Sequence, residues 1–181
     1  VKAGILSDSH DHKPAVVAAL ELFRAEGVGI ILHLGDVCSP PLLAGYKESG
    51  IPLVAVFGNN DGDRNGLQDV TGGAFRQGPH IETVAGRKIL MGHSYEELQP
   101  ELGERGRFDL VLFGHTHRPL TMHVGRALVL NPGESCGFLR GKHTCAIVDL
   151  DTMEPRIVEL AVAEAASSSR GGPFPGAPHG M

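Results

Sequence analysis

The stretch that decides the fold is Lys2-Ala3-Gly4-Ile5-Leu6-Ser7-Asp8-Ser9-His10-Asp11-His12-Lys13-Pro14. Lys2 to Ser7 reads as a short apolar strand. The run from Asp8 to Lys13 is polar, and Pro14 then suits the first turn of a helix, where its missing N–H costs nothing. Val16, Leu20 and Phe23 share one helical face with Ala19 beside them, and Gly27 ends the helix. Working outward, Gly29 to Leu34 reads as a second strand, Pro41 to Ser49 as a short helix and Leu53 to Phe57 as a third strand. Strand–helix–strand–helix–strand order argues for a parallel sheet covered by helices.

The second half changes character. Ile81–Val84 and Lys88–Met91 flank an Ala-Gly turn and read as a hairpin. Glu96 to Gly103 reads as a short helix and Leu110 to Phe113 as a strand. Thr121–Val124 and Ala127–Asn131 flank Gly125-Arg126, a two-residue hairpin turn with Gly first. His143–Leu150 and Arg156–Leu160 form a further strand pair. Hairpins following βα units imply an α/β sandwich, with two sheets face to face and helices outside. One domain, residues 1–162, accounts for this pattern. From Ala163 to Met181 the composition shifts to Ala, Ser, Gly and Pro, which buries too little apolar area to stay ordered, so a disordered tail is expected.

Composition bounds the function. The chain has 181 residues, 41% hydrophobic and 20% charged, ordinary values for a soluble globular protein. The longest apolar run, Val28 to Leu34, is strand-sized and far short of the roughly 18 residues that span a bilayer. Because Lys2 to Ser7 already reads as a strand, no signal peptide is expected. A cytoplasmic protein with no membrane attachment is expected. A net charge of −5 argues against an extended nucleic-acid surface, which needs a basic face. Phosphate chemistry stays open, because bound divalent cations reverse the sign of a site locally. Cys38, Cys136 and Cys145 make neither a CxxC pair nor an even disulfide framework.

The metal-capable residues fall in a telling place. Asp8 and His10 follow the first strand, Asp36 the second and Asn59 the third. His93 follows Lys88–Met91, and His115 and His117 follow Leu110–Phe113. Each lies just past the C-terminal end of a strand, where open α/β sheets bind ligands. Taken singly, each has a mundane reading. Asp after Gly is a common turn residue, and His-x-His can be two unrelated side chains on one loop. Together, five loops bring two Asp, one Asn and four His to one sheet edge, which no packing requirement explains. Carboxylates, an amide oxygen and imidazoles without a thiolate suit Mn²⁺, Fe, Co²⁺, Ni²⁺ or Zn²⁺. The supply exceeds one tetrahedral ion and fits two ions sharing a carboxylate, an arrangement suited to in-line displacement at phosphorus.

At these residues the chain resembles the calcineurin-like metallophosphoesterases, particularly the compact YfcE-like bacterial and archaeal phosphodiesterases. The resemblance runs through Asp8-Ser9-His10, Gly35-Asp36, Gly58-Asn59-Asn60-Asp61, Gly92-His93, Gly114-His115-Thr116-His117 and Asn131-Pro132-Gly133. It implies a four-layer αββα sandwich of two mixed sheets flanked by helices. It further implies two divalent ions, manganese foremost. One would take Asp8, His10, Asp36 and His117; the other would take Asp36, Asn59, His93 and His115. The implied reaction is hydrolysis of a small phosphodiester by a metal-bridging hydroxide, with Asp36, Asn60 and Asp61 as the catalytic set. Asn60, Arg118 and His12 are the candidate substrate contacts. Small members of the group often pair through surface edges, so a homo-oligomer is compatible with the resemblance.

One departure matters. Many members carry His after the ligating Asn, where it is thought to protonate the leaving group or steady the phosphate; here that position is Asn60. A neutral amide is no general acid, though its NH₂ can donate to a phosphoryl oxygen. Phosphomonoester hydrolysis is the second reading, and Asn60 counts against it because a monoester alkoxide needs a proton. A non-catalytic metal-binding scaffold of the same fold is the third. It has no reason to keep every ligand position filled. His33, inside the second strand, reads as a packing or supporting residue, and His143 as an ordinary surface or edge residue.

Overall fold

In the computed structural model, residues 1–103 and 106–162 are described. The tail expected from Ala163 lies outside the described residues. The chain begins with β1 (Lys2–Leu6), α1 (Lys13–Ala25) and β2 (Val28–His33). A single 3₁₀ turn, Pro40–Leu43, leads into α2 (Ala44–Ser49), followed by β3 (Leu53–Val56). The two prolines that open this segment remove backbone donors, and regular α-helix starts only after them.

Two elements escape the sequence reading. They are α3 (Arg64–Thr71) and the two-residue β4 (Phe75–Arg76). Only Leu67 of α3 is buried and Gly66 lies inside it, so no apolar stripe announces the helix. Its caps were the available signal: Asp63 accepts from Gly66 N at 2.9 Å, and Gly72 ends the helix in the left-handed region.

The chain continues with β5 (His80–Val84), β6 (Arg87–Met91), α4 (Tyr95–Leu98) and a 3₁₀ turn at Gln99–Glu101. The helix expected over Glu96–Gly103 is split because Pro100 cannot donate to it. The remaining strands are β7 (Leu110–Leu112), β8 (Leu120–Val124), β9 (Ala127–Asn131), β10 (Thr144–Asp149) and β11 (Glu154–Glu159).

The strands make two mixed sheets. One has the order β11-β10-β1-β2-β3-β4 and the other β5-β6-β7-β9-β8. In the first, β1 through β4 are parallel, while β10 and β11 run antiparallel to their neighbours. In the second, β6, β7 and β9 are parallel and the hairpin partners β5 and β8 form the edges. Ile5 of β1 faces Leu32 of β2 on one side and Ala146 of β10 on the other.

Strict alternation fills two cores from the same strands. Ala3, Ile5, Leu32, Val56, Ala146 and Val148 meet Ile89, Met91, Leu110, Leu112, Leu128 and Leu130 between the sheets. The opposite face of the first sheet, with Leu6, Ile31, Cys145 and Ile147, receives Val16, Leu20 and Phe23 of α1, Tyr46 of α2 and Leu67 of α3. On the outer face of the second sheet, Leu90, Val111 and Val129 pack with Leu98 of α4 and Phe108. The result is the four-layer αββα sandwich that the sequence implied. No helix of the described residues is long and apolar enough to cross a membrane.

Candidate metal centre

Loops leaving β1, β2, β3, β6 and β7 at their C-terminal ends converge, and they carry all seven expected ligands. The backbone is bent hard to achieve this. Asp8 (φ 52°), His10 (41°), Asp36 (58°), His115 (63°) and His117 (57°) all occupy the left-handed region. Non-glycine residues hold that conformation only where the surroundings over-determine it, at about 1–3 kcal/mol each, and such positions gather at functional sites.

Asp36 lies at the centre. Its Oδ2 is 3.6 Å from His10 Nε2 and 3.4 Å from His93 Nε2, while Oδ1 accepts the Asn60 N–H at 2.8 Å. His93 Nε2 is also 2.9 Å from Asn59 Oδ1 and 3.2 Å from His115 Nδ1. On the other side, His117 Nε2 lies 3.3 Å from Asp8 Oδ1, and the His10 and His117 rings stack with centroids 5.3 Å apart. The structure therefore brings Asp8, His10, Asp36, Asn59, His93, His115 and His117 into one cluster. Glycine permits a close approach: a Cβ on Gly58 would stand 2.2 Å from Asp36 Oδ1.

Supporting groups orient the imidazoles. Leu34 O can only accept, so His93 donates from Nδ1 to it at 2.8 Å and turns Nε2 inward. Glu134 does the same for His117, taking Nδ1 at 2.5 Å. Carboxylate or carbonyl partners on the far nitrogen are how metal-binding histidines are commonly held. Glu134 is 1% exposed, and sequence reasoning passed over it. Its position directly after Asn131-Pro132-Gly133 was the only available signal.

The donor set fits divalent cations. Asp8 is fully buried, and its Oδ1 has no hydrogen-bond partner among the described residues. His117 Nε2 lies 3.3 Å from it, while Nδ1 of the same ring faces Glu134. A carboxylate oxygen buried in this way calls for positive charge beside it, which a bound cation would supply. Burial raises the Asp8 carboxyl above its ordinary range, with the Ser7 hydroxyl at 2.5 Å and the histidine charges pulling it back. Burial also opposes charge on Asp36, but the hydrogen bond and charge of His93, with the Asn60 donors, hold it well below the usual carboxylate range. Burial disfavours charge on His93 too, yet Asp36 wins and lifts it to about 9. A proton thus stands on His93 where a cation would neutralise the same carboxylates.

Three of the singled-out residues find partners inside the protein. Asp61, expected in the catalytic set, is 3% exposed and accepts three backbone N–H groups: Asp36 at 3.1 Å, Cys38 at 2.8 Å and Gly58 at 2.7 Å. It ties the β2 and β3 loops together and acts as a positioning residue. Asn60 turns its Nδ2 onto Asp36 Oδ2 at 2.7 Å, spending one amide donor on the central carboxylate. His143, expected at an unremarkable edge, stacks on His12 at 4.9 Å.

His12 itself caps α1, accepting from Ala15 N at 3.3 Å through Nδ1. Arg118 is exposed one residue past His117, and its guanidinium has no hydrogen-bond or ion-pair partner among the described residues. His33 is fully buried, accepting from Gly35 N at 3.2 Å and facing Ser9 Oγ at 3.4 Å. It supports the ligand loops without being among the converging groups.

Residues 1–153 match the calcineurin-like phosphoesterase superfamily domain, and the chain belongs to that superfamily of hydrolases. Among relatives, phosphodiesterase MJ0936 of Methanocaldococcus jannaschii is 33% identical over 165 residues, covering 88% of this chain and 99% of that protein. A solved structure described as a novel archaeal phosphodiesterase superposes with a TM-score of 0.80 at 32% identity, over 88% of this chain and all (100%) of that one. The Escherichia coli phosphoesterase YfcE shares the fold, with a TM-score of 0.69 at 22% identity over 89% of this chain and 100% of its own.

Two measurements probe the supporting frame. Burial pushes His33 down from 6.5 to about 4 against the pull of Asp61 and Asp36. Between those values the unfolded chain binds a proton that the folded chain refuses, so stability falls as pH drops through the window and is flat above it. Urea unfolding is expected to show about 2 kcal/mol less pH-induced loss for His33→Gln than for the parent between about pH 7 and pH 5. Equal losses would mean that His33 does not carry the effect. Asp61→Ala is expected to weaken metal binding by about 10–100-fold in titration calorimetry, although Asp61 is no ligand; unchanged affinity would remove it from the frame.

Proposed function

We propose that this chain hydrolyses phosphodiesters of small molecules with two divalent cations held by the seven clustered side chains. The observation that carries this reading is the fully buried Asp8 oxygen facing His117 Nε2, next to a central Asp36 approached by His10 and His93. Asp8, His10, Asp36 and His117 would hold one ion, and Asp36, Asn59, His93 and His115 the other. Ions paired in this way supply a hydroxide nucleophile at neutral pH and stabilise charge on the oxygens at phosphorus. Manganese is the first candidate, with Ni²⁺, Fe, Co²⁺ and Zn²⁺ compatible with the same donors.

The protein's own contribution is positioning and charge. Asp36 serves both halves of the site, and its carboxylate is oriented by Asn60 through backbone and side chain. Glu134 and Leu34 O fix the His117 and His93 tautomers. Arg118 supplies a cation at the rim that can meet a phosphoryl oxygen. Because Nδ1 of His12 accepts from the α1 backbone, its neutral ring carries the proton on Nε2, a donor available to substrate. Asn60 offers no titratable proton, which favours esters with good leaving groups and diesters over monoesters. The relatives that are described as phosphodiesterases support the same reading. The protein is expected to act in the cytoplasm.

Metal-stripped protein assayed on bis-p-nitrophenyl phosphate and p-nitrophenyl phosphate, before and after adding each ion, tests the proposal. Metal-dependent cleavage favouring the diester is the expected result; preference for the monoester would select the phosphomonoesterase reading. Absence of turnover with two ions bound would select a binding role for the fold. Asp36→Asn is expected to abolish turnover and weaken both ions, and retained activity with two bound metals would defeat the assignment. Asn60→His is expected to raise turnover on alkyl esters more than on nitrophenyl esters, within the ~10²–10⁴-fold that general acid help provides. Equal gains on both would show that position 60 does not deliver the proton.

A further inference from the structure

The loop from Glu134 to His143 carries two exposed apolar side chains, Phe138 at 63% and Leu139 at 67% of full exposure. Phe138 does not stand alone. Its ring meets the edge of His12 at a centroid distance of 5.6 Å, and His12 stacks on His143 at 4.9 Å with the planes 24° apart. Three rings from two separate loops thus form one aromatic surface, open to solvent on the Phe138 side.

This surface borders the metal cluster. His12 is two residues past His10, and Phe138 is two residues past Cys136, whose sulfur lies within 4.8 Å of ring nitrogens of His10 and His117. Two residues span at most about 7 Å of extended chain, less than the length of a nucleoside. A group stacked on these rings can therefore be joined to a phosphate at the cluster.

The surface is also held in place before anything binds. Glu134 accepts the backbone N–H of Leu139 at 3.0 Å and that of Arg140 while it holds His117. His143 donates from Nδ1 to Ser135 O at 2.8 Å. Its ring lies against Gly137, where a Cβ would come within 2.6 Å of it. The loop is anchored at both sides of Phe138, so its exposure is a fixed feature of the site rim.

From this geometry we infer that the His12–Phe138–His143 surface binds the base of a nucleoside phosphodiester whose phosphate occupies the neighbouring cluster. The inference rests on the proposed phosphodiesterase reading and narrows its substrate class. Planar π systems stack on aromatic rings with little demand for hydrogen-bond readout. The net charge of −5 points to a mono- or dinucleotide-sized ester over a long polymer, which requires a basic track.

The test compares two diesters with the same leaving group, thymidine 5′-(p-nitrophenyl phosphate) and methyl p-nitrophenyl phosphate. The manganese-loaded parent is expected to favour the thymidine ester. Base stacking is worth ~1–3 kcal/mol by alanine substitution, so Phe138→Ala is expected to cut the thymidine-to-methyl ratio of kcat/KM by ~5- to ~150-fold, chiefly through KM. Phe138→Tyr is expected to restore it. An unchanged ratio in Phe138→Ala overturns the inference, and so does a change of sedimentation with the ratio intact, which would assign the surface to a second copy. Should neither ester be hydrolysed, the phosphodiesterase reading fails separately. Calorimetric binding of thymidine 5′-monophosphate to the metal-loaded proteins then decides: weaker binding to Phe138→Ala supports the stacking surface, and equal binding rejects it.

Discussion

A carboxylate taken out of water must find donors or positive charge; this protein buries Asp8 and Asp36 side by side, and Asp61 and Glu134 are buried as well. Asp36 receives two donors from Asn60, and Asp8 receives one from Ser7 and one from the His115 backbone. Those contacts leave Asp8 Oδ1 with nothing. The His93 and His117 rings are turned with Nε2 inward, their Nδ1 atoms held by Leu34 O and Glu134. Much of the local structure follows from holding this arrangement: five left-handed residues, the Asp61 tie between two loops and the Glu134 brace behind His117. None of these features improves packing, and several cost stability.

The sandwich positions the cluster by simple means. Parallel strands of both sheets end on the same side, and each delivers its next residues to the gap between the sheets' edges. The inter-sheet core of aliphatic side chains ends where Leu34 and Leu112 give way to Gly35-Asp36 and the His115 loop. Apolar alternation thus sets the height of the site, and the loops only choose which atoms fill it.

This division explains what was legible in the sequence. Strands with continuous apolar runs, such as β1, β6 and β9, and the amphipathic α1 were visible because their own residues are buried. The seven converging side chains were visible because each directly follows such a strand. α3 and β4 were not visible, since one buried leucine and a two-residue bridge carry no periodicity. The partners of Glu134, Asp61 and His143 were not legible for a different reason. Their importance lies in partners distant along the chain, with Glu134 holding His117 and Asp61 holding Asp36, and no local pattern encodes such pairings. The amide of Asn60 was read as free for substrate because its nearest acceptor, Asp36, is 24 positions away.

Glu134 has a consequence for how the fold can diversify. One carboxylate braces a cluster histidine and ties down the backbone of Leu139 and Arg140. The segment between β9 and β10 is therefore not an interchangeable cassette. A transplant that alters its first half would also loosen His117, and the second half is tied in as well, since Thr144 donates to the Glu134 carbonyl and His143 to Ser135 O. Variation in what this rim recognises is confined to side chains hung on a fixed ribbon, and recombination between distant relatives would have to exchange the segment together with its brace.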